Sequence, residues 1–182
     1  MNFLLNSIFH KSLNQRLHKK VIRLVHSLRE EKRSSFNRHV PIGELLSDRV
    51  ETAQFMGFGE GTTCYNSALI IGDVRIGNNC WIGPNVVLDG SGGLVVGNWV
   101  TISAGSQIYS HTSIERSLSK GTESLAYSPV HIADGCYLGP NTIIAMGVSI
   151  GESAIIGAGS FVNKDVKAGT KVFGIPAREV PE

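Results

Sequence analysis

Six histidines, three cysteines and a scattering of carboxylates are the side chains of this 182-residue chain most able to do chemistry. His10, His18 and His26 recur eight residues apart in a stretch without Pro or Gly, where they are predicted to face solvent on a helix. His39 falls in a connector. His111 is different. It stands three residues after Ile108, at the start of a polar stretch, Tyr109 to His131, that interrupts an otherwise regular pattern. An imidazole titrates near neutral pH and can take a proton from a hydroxyl as that oxygen attacks a carbonyl, so a firmly held His111 is a candidate general base. The plainer alternative is a surface-loop histidine. Asp89 sits in a second, smaller break, Leu88-Asp-Gly-Ser-Gly-Gly-Leu-Val-Val96. Its carboxylate can accept two hydrogen bonds from a ligand or cap its own turn. Cys64, Cys80 and Cys136 form no C-x-x-C pair, so neither a zinc site nor a disulfide framework is expected, and reduced buried thiols are.

The elements that must hold these residues follow from a repeat. Stepping in sixes from Ile70 gives Ile76, Ile82 and Leu88. After two inserted residues the steps resume at Val96, Ile102 and Ile108. After the long interruption they return as Ile132, Leu138, Ile144, Ile150, Ile156 and Val162. All thirteen positions are Ile, Leu or Val, although these make up 47 of the 182 residues, so chance is not the source. Two residues before each aliphatic stand small or β-branched types such as Cys80, Val86, Val100, Ser106, Cys136, Thr142 and Ala154. One residue after stand Gly77, Gly83, Gly97, Gly139, Gly151 and Gly157. A period of six is neither strand nor helix. It predicts one short strand and one corner per repeat, with the aliphatic pointing inward and the glycine supplying backbone angles that a Cβ would resist. Three repeats close one triangular turn of a parallel β-helix.

Lines such as Ile76-Gly-Asn-Asn-Cys-Trp-Ile-Gly-Pro-Asn and Ile150-Gly-Glu-Ser-Ala-Ile-Ile-Gly-Ala-Gly-Ser resemble the hexapeptide-repeat acyltransferases, over roughly residues 58–178. The resemblance implies a mainly β fold, a left-handed parallel β-helix with a long loop and an N-terminal amphipathic helix, assembled as a homotrimer. It implies an acetyltransferase with acetyl-CoA as co-substrate, no metal, and active sites between subunits. Sugar O-acetyltransferases of the galactoside and maltose type carry their essential histidine at the start of such a loop, which by that match is His111. They place an acidic residue at a corner comparable to Asp89 to bind acceptor hydroxyls; Glu123, Tyr127 and Arg116 are further loop candidates for acceptor contact. The closing segment, Val162-Asn-Lys-Asp to Gly174-Ile-Pro-Ala-Arg178, is similar to the family's coenzyme end. By that match Ala158 and Asn163 line the coenzyme groove, and Lys164 and Arg178 meet its phosphates. Independently of the family, Lys164, Lys167, Lys171 and Arg178 cluster on a body that is acidic overall. In one respect the chain departs from the galactoside enzymes: Gly139-Pro140 stands where they have a residue with an N–H, so the oxyanion donor must be another group.

The Ser-His111-Thr…Tyr-Ser-Pro loop looks most like enzymes that decorate capsule or lipopolysaccharide sugars, so the expected acceptor is a sugar hydroxyl. N-acetylation of an amino-sugar nucleotide is the alternative within enzymes, and a non-catalytic trimeric scaffold or binding module the alternative outside them. A γ-class carbonic anhydrase shares the fold, but it needs three zinc-binding histidines, and only His111 and His131 lie on the coils.

Charge divides the chain. Residues 1–38 hold nine Lys/Arg against two Glu, and residues 39–182 hold eight against thirteen Asp/Glu. The expected organisation is a basic helical arm (1–40), a connector (41–57), the β-helix (58–175, loop 109–131) and a tail (176–182). Within the arm Leu13, Leu17, Val21, Leu24 and Leu28 form a heptad-like seam. That seam packs on the β-helix or a sister subunit, or else the arm, over residues 3–33 with Phe3, Leu4, Leu5, Ile8 and Phe9, rests on anionic lipid. Nucleic-acid binding is not expected from one basic helix. The N-terminus lacks a signal peptide's features and no run approaches the ~18 apolar residues of a span, so the expected place is cytoplasmic, with the inner face of the membrane as the variant.

Overall fold

A computed structural model describes the backbone of residues 2–180 and the side chains of residues 14–180. The expected lipid contacts of Phe3, Leu4, Leu5, Ile8 and Phe9, together with His10 and Leu13, lie outside the described side chains. The chain divides into two compact units, 1–47 and 48–182.

In the first unit, helix α1 (Asn2–Phe36) runs without a break, as the absence of Pro and Gly predicts. It ends where Asn37 enters the left-handed region (φ 49°) and its N–H bonds back to the Arg33 carbonyl, a polar residue ending a helix in the way glycine usually does. Helix α2 (Ile42–Leu46) follows Pro41, and Val25 of α1 and Leu45 of α2 are the buried apolar residues among those described in this unit.

The second unit opens with helix α3 (Arg49–Phe55), capped by Asp48, whose carboxylate accepts from the Val50 N–H at 2.8 Å. Ala53 and Phe58 are buried in the same core as the strands that follow. The connector expected over 41–57 is therefore divided: its second half plugs the open end of the coils, because a β-helix exposes its apolar interior where it starts.

Three parallel faces then stack. The first is built from Thr63–Cys64, Trp81–Ile82, Thr101–Ile102, Tyr137–Leu138, Ile155–Ile156 and Lys171–Gly174. The second aligns Leu69, Val87, Gln107, Ile143 and Phe161, and the third aligns Ile76, Val96, Ile132, Ile150 and Val166. Strands Leu69–Ile76 and Val87–Val96 each bend around the edge between the second and third faces. Twelve of the thirteen aliphatics at period six are buried, and Ile70 is half-buried at the start of its column. The residues two before them fill the corners of the same core, with the Ser106 hydroxyl donating to the Gly139 carbonyl. The expected tail is not loose: Ala177–Glu179 pairs antiparallel with Lys171–Gly174.

The role expected of the repeat's glycines is corrected. Gly77, Gly97, Gly139 and Gly157 do not occupy the left-handed region. A Cβ on Gly139 would stand 2.6 Å from the Ala158 nitrogen of the next coil, and one on Gly97 would stand 2.9 Å from the Asp134 nitrogen. These glycines allow coils to stack closely. The left-handed backbone lies two residues further on, at Asn79, Asn85, Trp99, Gly105, Gly135, Asn141, Gly147, Ser153 and Gly159. Asn and Gly dominate there because they tolerate that conformation.

Candidate active site

The two breaks in the repeat turn out to be one structure. Leu88 and Ile108 occupy the same column of the second face, one coil apart. Whatever follows each of them therefore emerges at the same edge of the prism. The smaller break sends Ser91, Gly92 and Gly93 out of register between Gly90 and Leu94, and this bulge leans on the root of the long loop, where the Gly92 N–H donates to the Ser110 hydroxyl at 2.8 Å. The long loop is organised at its base. His111–Thr112 pairs antiparallel with Ala126–Tyr127, and helix α4 (Ile114–Leu118) lies between them. The Ser128 N–H donates to the Ser110 carbonyl, which anchors the return.

Asp89 lies at the centre, fully buried. One carboxylate oxygen accepts from the Ser91 N–H at 2.9 Å and the Ser91 hydroxyl at 2.5 Å. The other accepts from the Ser110 N–H at 3.1 Å and contacts His111 Nδ1. Burial by itself pushes this carboxyl up, but hydrogen bonds from Ser91, His111 and Ser110 outweigh it and hold the carboxyl below its ordinary range. An ionised carboxylate only accepts, so Nδ1 is the nitrogen that carries a proton toward Asp89, and in the neutral ring Nε2 is then the acceptor. The His111 side chain remains 31% exposed while that of Asp89 is 1% exposed. The imidazole thus has one nitrogen tied inward to Asp89 while its side chain stays partly exposed. Tyr127 stands beside it, its ring centroid 6.1 Å from the imidazole.

Of the expected acceptor contacts, Asp89 is therefore misplaced. It has no surface with which to meet a sugar, because every accepting position faces a donor of its own chain. Tyr127, 55% exposed and paired with His111, is where a ligand at Nε2 would touch it. Glu123 is exposed on the outer part of the loop, where its own N–H donates to the Ser119 hydroxyl. Arg116 lies in α4. Sequence reasoning missed Ser91 and Ser110, the donors that keep Asp89 charged. The signal was present in the spacing, since both breaks follow aliphatics of the same column.

The coenzyme candidates separate into two groups. Asn163, Lys164 and Arg178 line one depression together with Lys167 and Thr170. Asn163 and Lys164 follow Val162 at the same edge as His111, two coils on, or roughly 10 Å at the spacing of neighbouring strands. Ala158 follows Ile156 at a different edge, between the first and second faces, stacked on Gly139. Pro140 belongs to that edge too. Within one chain the corner that stacks on the His111 edge is instead Ala145-Met146-Gly147, so Pro140 and His111 of the same chain stand on different edges.

Cys64, Cys80 and Cys136 are buried and form no disulfide, and burial pushes the Cys80 and Cys136 thiols up, away from reactivity. Among the described residues no group of three His, Cys, Asp or Glu could hold a metal ion.

A triangular parallel coil with a histidine at the root of a long loop is an architecture this chain shares with hexapeptide-repeat acyltransferases, and two hexapeptide-repeat models each match a part of it. The bacterial transferase hexapeptide (six repeats) model matches residues 129–164, and the hexapeptide repeat of succinyl-transferase model matches residues 70–110. Galactoside O-acetyltransferase of Escherichia coli K12 is 30% identical over 109 residues, 60% of this chain and 44% of that protein. A 2,3,4,5-tetrahydropyridine-2,6-dicarboxylate N-acetyltransferase of Staphylococcus aureus is 46% identical over 55 residues, 30% of this chain and 23% of that protein. The chain spans less than half the length of these curated relatives. A hexapeptide-repeat acetyltransferase of Vibrio cholerae, solved with acetyl coenzyme A, superposes with TM-score 0.65 at 27% identity, covering 89% of this chain and 88% of that one.

Proposed function

We propose that this chain transfers an acetyl group from acetyl-CoA directly to a hydroxyl of a sugar, with His111 as general base. The observation that carries the proposal is the His111–Asp89 pair: an imidazole locked through Nδ1 to a buried, ionised carboxylate, with Nε2 left accessible at the loop root. A hydroxyl is a poor nucleophile until its proton is removed, and a thioester is already activated, so one positioned base is the main requirement. Nε2 takes the acceptor proton as the oxygen attacks the acetyl carbonyl, and Asp89 stabilises the imidazolium that forms. The tetrahedral oxyanion needs a donor. The Met146 N–H makes no hydrogen bond among the described residues and stacks one coil from His111 at the same edge, which makes it the candidate. Collapse expels the coenzyme thiolate, which receives the proton from Nε2.

Acetyl-CoA in this reading lies along the His111 edge, with its phosphates at Lys164 and Arg178 beside Asn163. Ala158 stands on another edge of the same prism, and a single chain does not bring it to His111. A homotrimer, in which the Ala158 edge of one subunit faces the His111 edge of its neighbour, reunites them and places three sites between subunits. Tyr127 stacks against the acceptor ring, and Asp89 orients the base. The loop favours a sugar of bacterial surface polysaccharide, capsule or lipopolysaccharide, as acceptor.

The test is acetyl-CoA-dependent thiol release on a panel of sugars, amino sugars and sugar nucleotides, with serine and antibiotic acceptors included. A sugar hydroxyl is expected to be acetylated. Acetylation confined to the amine of an amino-sugar nucleotide overturns the O-acetyl assignment, and no release with any acceptor supports a scaffold. His111→Ala is expected to lower kcat by about 10²–10⁴-fold while acetyl-CoA binding survives. Normal turnover by that variant removes the mechanism.

A further inference from the structure

The charge asymmetry read from the sequence is not used by the acyl-transfer site, and α1 shows where it goes. No Asp or Glu precedes Glu30. Over 14–29 the helix carries Arg16, Lys19, Lys20, Arg23 and Arg29, all exposed, and none forms a salt bridge among the described residues. Aliphatic side chains are exposed on the same helix: Leu17 58%, Val21 45% and Leu24 52%. At about 100° per residue, Leu17, Val21, Leu24 and Leu28 share a sector roughly 60° wide. Arg16, Lys19, Lys20 and Arg23 fill the next, roughly 100° wide. The seam is thus apolar with cations along one flank and no acidic residue on the helix before Glu30.

We propose that α1 is a docking surface for an anionic phospholipid bilayer, lying in the interface plane with its leucine seam toward the acyl chains and its cations at the headgroups. Each half of the pattern answers one property of that partner: exposed aliphatics gain from leaving water, and clustered Lys/Arg gain from a negative surface. Other occupants meet only half of it. Seam-to-seam pairing of copies would crowd uncompensated cations, and a nucleic acid would neutralise the cations while leaving Leu17, Val21 and Leu24 in water. The helix rests on the membrane rather than crossing it, since no helix among the described residues is long and apolar enough to span. The proposal stands apart from the acyl-transfer reading.

The experiment is co-sedimentation of the full chain with phosphatidylcholine vesicles, with and without about a third of phosphatidylglycerol, at low and high salt. Binding is expected with the anionic vesicles, weaker with neutral ones, and reduced by salt. The triple variant Lys19→Ala, Lys20→Ala, Arg23→Ala is expected to partition about a hundredfold less. Leu17→Ser with Leu24→Ser should also lose binding, with oligomeric mass and thiol release retained in both variants. Equal binding to neutral and anionic vesicles, or none to either, overturns the proposal. It is overturned too if the leucine variant changes oligomeric mass while still binding vesicles, which assigns the seam to a second copy. Duplex DNA bound equally by the wild type and the leucine variant, in place of vesicles, assigns the cations to nucleic acid.

Discussion

Asp89 acts from inside the coil, and its value lies in what it does to a neighbour. Replacing it by Asn keeps the shape but removes the charge that holds Nδ1 protonated and offsets the imidazolium. Asp89→Asn is expected to lower kcat by on the order of a hundredfold or more, with KM for acetyl-CoA little changed. Steady-state kinetics separate the two parameters, and a raised KM with normal kcat would return Asp89 to a binding role. The carboxyl also links stability to acid. Asp89 and Asp134 both titrate below their ordinary range, Asp89 through bonds that outweigh burial and Asp134 through the Asn98 backbone and side chain. A depressed carboxyl contributes stability that is present above the unfolded value of roughly 4 and is lost as pH falls through the folded value. Denaturant midpoints should therefore stay level above that range and drop below it. Asp134→Asn should flatten part of the drop.

At the scale of the element, the six-residue repeat contains two different demands for a small residue, and substitutions tell them apart. Gly139 is required by the coil above it, where a Cβ would meet Ala158 backbone, and backbone cannot move aside cheaply. Gly139→Ala is expected to destabilise by about 1–3 kcal/mol, the range for overpacking. Ser153 is required to turn left-handed, at φ 58°, which costs a residue with a Cβ about 1–2 kcal/mol. Ser153→Gly is expected to raise the melting temperature slightly or leave it unchanged, since relief of strain is offset by added chain entropy. Thermal unfolding of the two variants checks both. The edge that carries His111 is where this corner rule is least obeyed: Asp73, Ser91, His111 and Asp165 do not take the left-handed turn at the third residue after the aliphatic, where Gly147 does, and Gly72 and Gly93 take it at other positions. The proposed site thus lies where the repeat is released from its own geometry.

For the whole molecule, the separation of Ala158 from His111 makes oligomeric state part of the catalytic proposal. Mass measurement by light scattering is expected to give three copies, and a monomer with full activity would refute sites between subunits. Lys164→Ala with Arg178→Ala is expected to raise KM for acetyl-CoA with kcat retained, because both line the depression two coils from the base. Unchanged KM would move the phosphates elsewhere.

The period-six aliphatics, the long helix and the placement of His111 at a loop root were legible in the residues alone, because each is a consequence of spacing. Burial bore out the inward column, and the stacking of Leu88 under Ile108 could have been read by counting coils. What the chain order concealed was contact across coils. Ser91, Asp89, Ser110 and His111 become one network only because parallel strands bring residues about twenty positions apart to within a hydrogen bond. The glycine at the corner is likewise explained by a neighbour in the next coil, Ala158 for Gly139 and Asp134 for Gly97, not by its own torsion angles. Local pattern dictates which way a side chain points. Only the closed coil decides what it meets there, and so turned Asp89 from an expected sugar ligand into the buried partner of the His111 ring.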